Sequence, residues 1–223
     1  MKLGDLLSIT MNYIEQRRTR IIKDLANKKK LSQYFTPVNI AKFMAELFDF
    51  NEQQKVKLLD PGAGIGILST VFCEVAFKFV DKIDITAIEI DKTLNFQFEE
   101  NLALINKNRN LIYKLLNDDF IEWGSNCINE QMSIFNQNEE KYSHIIMNPP
   151  YKKISSNSNY RKILKENNVD TVNLYSAFVG ISIKMLEKDG QLVAIIPRSF
   201  CNGPYYKSFR ELILKETIIE HIH

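Results

Sequence analysis

The chain has 223 residues, 45% hydrophobic and 25% charged, with a net charge of +2; this supports one sizeable core in an ordinary soluble protein. No apolar run approaches the ~20 residues that span a bilayer, and MKLGDLLSITMNY lacks the apolar stretch and cleavage site of a signal peptide, so the expectation is a cytoplasmic protein with no membrane partner. Cys73, Cys127 and Cys201 are odd in number and widely spaced, which suggests neither a disulfide framework nor a metal knuckle.

Residues 1–30 hold eight Lys or Arg against three Asp or Glu. Within them, Leu6, Leu7, Met11, Ile14, Ile21, Ile22 and Leu25 recur at helical spacing. The result is a basic helical extension, which either meets phosphates or is a solvated face. LSQYFTP breaks it. A second helix follows over 38–48, with Thr36 and Pro37 as N-cap and first-turn residue.

VKLLDP then reads as a buried strand, followed by a glycine turn and an amphipathic helix. IDITAIEI is a second strand and 92–106 a helix. A third strand begins at Asn110, and polar residues 124–141 read as a surface insertion. SHIIMN is a fourth strand, and His144 within it reads as strand-edge packing. Residues 152–172 are polar and expected to be mobile. A helix over 173–186, a strand over 191–197, a helix over 204–216 and a strand from Thr217 complete the chain. Short apolar strands alternating with helices predict an α/β fold, a doubly wound, Rossmann-like and mostly parallel sheet.

In such sheets ligands sit beyond the carboxyl ends of the strands, and the candidate motifs fall there. Gly62, Gly64 and Gly66 are three of only eight glycines. They let the backbone take positive φ and approach a ligand. The following helix offers free N–H groups to an anion. The spacing departs from the dinucleotide fingerprint, because the third glycine comes one place early. Asp60, just before the turn, repels a pyrophosphate but can hold a cation. Glu89 ends the second strand, where a carboxylate can accept from ribose hydroxyls. Asp91 reads as a helix cap. Asp119 and Phe120 can offer an acceptor and a face to a purine, with Asp118 competing for the acceptor role. S-adenosylmethionine carries the ribose, purine amine, carboxylate and ammonium that match these groups.

The ordered set FTPVNIAKFM, LLDPGAGIGILS, AIEID, NDDF, IIMNPPY and NLYSAFVGISIKML resembles the gamma-type DNA adenine-N6 methyltransferases of restriction–modification systems, over roughly residues 31–220. NPPY alone is shared with some protein-glutamine and RNA methyltransferases; the FTP segment argues against those. A catalytically idle binding module of a larger complex is a further alternative. The resemblance implies a class I S-adenosylmethionine-dependent catalytic domain over 31–223. It places Thr36 and Pro37 at the methionine end of the cofactor, with Asp60, Pro61, Gly62, Ala63 and Gly64 as the surrounding loop. Glu89 takes the ribose, Ile90 packs on the adenine ring, and Asp119 with Phe120 bounds it. Pro150 and Phe178 close the pocket. Tyr175 lies on the same helix face as Phe178 and is left undecided.

Catalysis is implied for Asn148, Pro149, Pro150 and Tyr151. The amino lone pair of adenine is delocalised. Acceptors on Asn148 and the Pro149 carbonyl can turn it toward an electrophilic methyl, so positioning matters more than a strong base. Tyr151 offers a stacking face to a base flipped out of double-stranded DNA. The family also carries a further strand, an opposing aromatic and a DNA-recognition domain. None of these is found here, so a truncated or split enzyme is expected, with an endonuclease or a recognition subunit as partner. A sheet edge left open at the C-terminus would favour self-association.

Overall fold

Runs of Val, Ile and Leu form five strands in the computed structural model, which describes residues 3–27, 35–50, 55–105, 109–131 and 141–223. The strands are β1 (Lys55–Pro61), β2 (Lys82–Ile88), β3 (Asn110–Leu116), β4 (Tyr142–Met147) and β5 (Leu186–Ala194). Every neighbouring pair is parallel, in the order β3-β2-β1-β4-β5. All six residues of β4 are buried, as expected of an inner parallel strand covered on both faces.

The helices are α1 (Leu3–Asn27), α2 (Val38–Glu46), α3 (Ile67–Ala76), α4 (Asn95–Leu102), α5 (Phe120–Gln131), α6 (Asn159–Glu166), α7 (Leu174–Lys184) and α8 (Lys207–Glu216). Helices α1 to α4 share one core with Leu58, Ile83 and Ile85 of the sheet. Helices α5 to α8 share a second with Leu59, Ile145 and Met147. The expected doubly wound sheet is therefore present. No described helix is long and apolar enough to cross a membrane.

Several local expectations are corrected. The segment read as an insertion over 124–141 continues α5 to Gln131; residues 132–140 lie outside the described ones. Residues 152–172 are anchored, not loose. Lys153 bridges Asn173, α6 forms, and Ile154, Leu164 and Val169 are buried. Polar composition hid three spaced anchors. Residues 217–223 form no strand, because a strand needs a hydrogen-bonding neighbour and none among the described residues pairs with them. His144 is not at an edge. Its strand lies between β1 and β5, and its ring stacks on Phe50 at 5.4 Å. Burial there pushes its imidazole down to about 4.

Candidate active site

Strand order reverses between β1 and β4, so the loops leaving them diverge and open a crevice at their carboxyl ends. The β1 loop supplies one wall. Gly62, Gly64 and Gly66 all have positive φ, at 75°, 56° and 76°. Only glycine fits comfortably at Gly66, where a Cβ would lie 2.7 Å from Phe98. The loop is tied to the end of β2. Gly62 and Ala63 donate to the Ile88 carbonyl at 2.8 and 3.0 Å, and Gly64 donates to Glu89 Oε2 at 2.8 Å. Glu89 Oε1 accepts from the Asp91 amide at 2.8 Å, and burial raises the Glu89 carboxyl above its usual range. Asp91 caps the short turn at Lys92–Leu94, as its sequence context predicts.

Asp60 lies fully buried beneath this loop. The Ser69 hydroxyl donates to its Oδ2 at 2.6 Å, whereas Oδ1 has no partner. Burial, partly offset by Ser69, lifts the carboxyl to about 7. A buried, half-satisfied carboxylate is costly unless a cation or donor reaches it.

The cleft above the loop is lined by Phe35, Thr36, Gly62, Ala63, Gly64 and Asn148, among others. Thr36 lines this cleft, whereas the neighbouring Pro37 is not among its lining residues, and Thr36 is no cap. Pro37 precedes α2, and Glu15 Oε2 accepts from the Val38 amide at 2.9 Å. That leaves the Thr36 hydroxyl free to accept from Asn148 Nδ2 at 3.1 Å.

A second region adjoins Gly62. The Phe178 ring lies 3.5 Å from where a Cβ of Gly62 would be, and 4.8 Å from the Phe120 ring between centroids. Ile90 is 65% exposed, an open apolar face beside Glu89. Asp119 is more committed than its sequence context suggests. Its Oδ1 accepts from the amides of Ile121 and Glu122, capping α5. Its Oδ2 accepts from the Tyr160 hydroxyl at 2.5 Å. A carboxylate oxygen has a second lone pair, so Asp119 can still accept, but it is not an unengaged acceptor. Asp118 is exposed and accepts from the Asp119 amide.

The fourth strand ends in the NPPY corner. Asn148 is half-buried, Pro149 buried, and Pro150 and Tyr151 exposed. The Tyr151 hydroxyl lies 2.7 Å from Asn148 Oδ1 and 3.2 Å from the Ile195 carbonyl. Its single hydrogen can serve only one of these at a time. Tyr175, undecided from sequence, is a core residue whose ring meets Tyr151 edge-on at 6.3 Å. Tyr206 packs beside it, and Asn173 donates to the Tyr206 hydroxyl at 2.9 Å. The tyrosine of the corner thus rests on a buried aromatic column.

The residues that sequence reasoning missed are Glu15, Ser69, Asn101 and Tyr160. Each reaches the site from a helix, Ser69 across nine residues and Glu15, Asn101 and Tyr160 across 23, 36 and 41.

A parallel, doubly wound sheet with an acidic residue at the end of β1, a glycine loop after it and an NPPY corner after β4 has the class I S-adenosylmethionine-dependent methyltransferase fold. Among solved structures, the chain resembles a protein described as such a methyltransferase from Listeria monocytogenes, with a TM-score of 0.65 at 15% identity over 96% of this chain and 62% of that one. It also resembles the methyltransferase subunit of a type I restriction-modification system from Streptococcus thermophilus, with a TM-score of 0.60 at 19% identity over 82% of this chain and 39% of that one. Residues 11–223 match the Eco57I restriction-modification methylase family, and the chain belongs to it. It is 41% identical over 214 residues to the type II methyltransferase M.BsuBI of Bacillus subtilis, and 36% identical over 223 residues to M.PstI of Providencia stuartii. These matches cover 96% and 97% of this chain but only 43% of each relative, so the chain spans less than half their length. Methyltransferases of this fold take S-adenosylmethionine as cofactor.

Proposed function

We propose that the chain carries the methyl-donor pocket and base-holding corner of a DNA methyltransferase that modifies the N6 amino group of adenine. The observation that carries this reading is the placement of Asn148. Its amide NH2 donates to Thr36 of the glycine-loop cleft, while its Oδ1 faces Tyr151 of the corner. One side chain stands between a donor wall and an acceptor wall.

The donor side suits S-adenosylmethionine. The unpartnered Oδ1 of buried Asp60 complements an ammonium group, and the loop's positive-φ glycines allow close backbone approach. Thr36, Pro37 and the Asp60 to Gly64 loop would hold the methionine end. Glu89 would hold the ribose. Ile90, Asp119, Phe120, Pro150 and Phe178 would bound the adenine. When bound, this cofactor supplies an electrophilic methyl group on a sulfonium.

The chain's own contribution is positional. Asn148 Oδ1 has a second lone pair beyond the one facing Tyr151, and the Pro149 carbonyl projects from a rigid corner. Together they would accept the two hydrogens of the target amino group and turn its lone pair toward the donor. Thr36 keeps the Asn148 amide from rotating. Tyr151, backed by Tyr175, would stack on the flipped base. The type II methyltransferase relatives support DNA as substrate.

The test is transfer from methyl-labelled cofactor to duplex DNA, RNA or protein by the protein containing this chain. Nuclease digestion of the DNA is expected to release labelled N6-methyladenine. Label in N4-methylcytosine, or in RNA or protein but not DNA, overturns the assignment.

A further inference from the structure

We infer that α1 is a strut for the methyl-donor pocket, with Arg17 and Arg18 as positioning residues, one for each wall. The inference rests on the donor-pocket assignment above and deepens it.

Arg18 serves the Phe35–Thr36 wall. Its Nη1 donates to the Phe35 carbonyl at 3.1 Å, while its Nε and Nη2 grip the Glu15 carboxylate. Glu15 in turn accepts from the Val38 amide through Oε2 at 2.9 Å. The first free N–H of α2 is thus capped by a carboxylate 23 residues upstream. The Arg18 guanidinium beside Glu15, with the Val38 amide, holds the Glu15 carboxyl below its usual range. Phe35, Thr36 and Pro37 therefore hang between two bonds from one turn of α1. Within that span the Phe35 ring lies 3.3 Å from where a Cβ of Gly64 would be, and Thr36 receives Asn148.

Arg17 serves the glycine loop. Its Nε donates to Asn101 Oδ1 at 3.0 Å and its Nη2 to Glu100 Oε2 at 2.5 Å. Asn101 is fully buried, and its Nδ2 donates to the Ile65 carbonyl at 2.7 Å. Ile65 lies between Gly64 and Gly66 with its side chain buried in the core, so the bond to its carbonyl fixes the backbone in the middle of the loop. Two adjacent arginines thus reach both the Phe35–Thr36 segment and the glycine loop, because consecutive residues on a helix point about 100° apart. A fork of several N–H donors can bond a carboxylate and a second acceptor together, which an ammonium cannot match. Met11 and Ile14, buried against the α2–α3 side of the core, fix the helix that carries them.

Calorimetric binding of S-adenosylhomocysteine to the 223-residue chain tests this without requiring turnover, alongside the thermal midpoint of each variant. Arg17→Ala and Arg18→Ala are each expected to weaken binding by about tenfold. Arg17→Lys and Arg18→Lys keep the charge and stem and should fold as the wild type does, yet recover only part of that loss. Arg20→Ala, at an exposed site on the same helix, should bind as the wild type does. Wild-type binding with unchanged affinity in both alanine variants would overturn the strut, and so would a fall in thermal midpoint alone. No binding by the wild-type chain would overturn the donor-pocket reading together with it.

Discussion

The two walls of the crevice are built differently. The β1 side is over-determined. Its loop has three backbone positions in the left-handed region, bonds to Ile88 and Glu89, and a relay from Arg17 through Asn101. The β4 side is lighter. Two prolines, a hydrogen bond from Asn148 to Thr36, the Tyr151 hydroxyl shared between Asn148 and Ile195, and an aromatic column hold the corner, and Tyr151 remains 43% exposed. The contrast fits the roles proposed for the two walls. A pocket for a cofactor suits a rigid loop, whereas a corner proposed to admit a flipped base needs its acceptors fixed and its stacking face open.

The largest effect should come from the lighter wall. Asn148→Ala removes one acceptor for the amino group and should lower methyl transfer by roughly 100-fold or more. Affinity for S-adenosylhomocysteine should stay within a few-fold. Equal loss of both would mean that the two walls are not separable. On the other wall, Gly66→Ala forces a positive φ on alanine and drives its Cβ toward Phe98. A loss of roughly 2–4 kcal/mol in folding stability is expected from denaturant midpoints; an unchanged midpoint would show that the loop relaxes freely.

Asp60 couples the comparison to pH. Its folded-state carboxyl is raised to about 7 from 3.8, so between those values the folded chain binds more protons than the unfolded chain. Stability from this group is therefore present below pH ~4 and lost as pH rises through about 7. Asp60→Asn should stabilise the chain at pH 8, by roughly 1–4 kcal/mol. The same substitution should weaken cofactor binding and flatten its rise between pH 6 and 8. An unaltered pH profile in the variant would show that another group controls binding. The smallest effect concerns the adenine end. Tyr160→Phe removes the bond to Asp119 and should cost about 1 kcal/mol. Faster amide exchange across 152–172 should reveal it, and unchanged exchange would mean that Ile154, Leu164 and Val169 alone anchor that segment.

The local readings that held did so because they rest on spacing. Helical periodicity placed α1 and α2, and β-rich runs placed the inner strands. Readings that averaged over composition did less well. The polar stretch 152–172 contains α6 because three apolar residues suffice to dock it. The run from Thr217 has strand composition but no strand partner among the described residues, and pairing is a property of two segments. The basic count of residues 1–30 likewise concealed direction. Arg17 and Arg18 are paired with Glu100 and Glu15, so a count of charges alone does not say which of them face solvent.

For the site, the chain order of FTP, DPGAG, IEID, NDDF and NPPY already determined which side chains gather at one end of the sheet, because parallel crossover connections bring every strand's carboxyl end to the same edge. Tertiary structure decided how they are held. Asn148 meets Thr36 across 112 residues, and Arg17 meets Asn101 across 84. Asp119 is partly occupied by Tyr160, and Asp60 is left with one unpaired oxygen. Strand ends follow from local periodicity and topology. Hydrogen-bond partners depend on which helix faces pack together, and no local pattern encodes that.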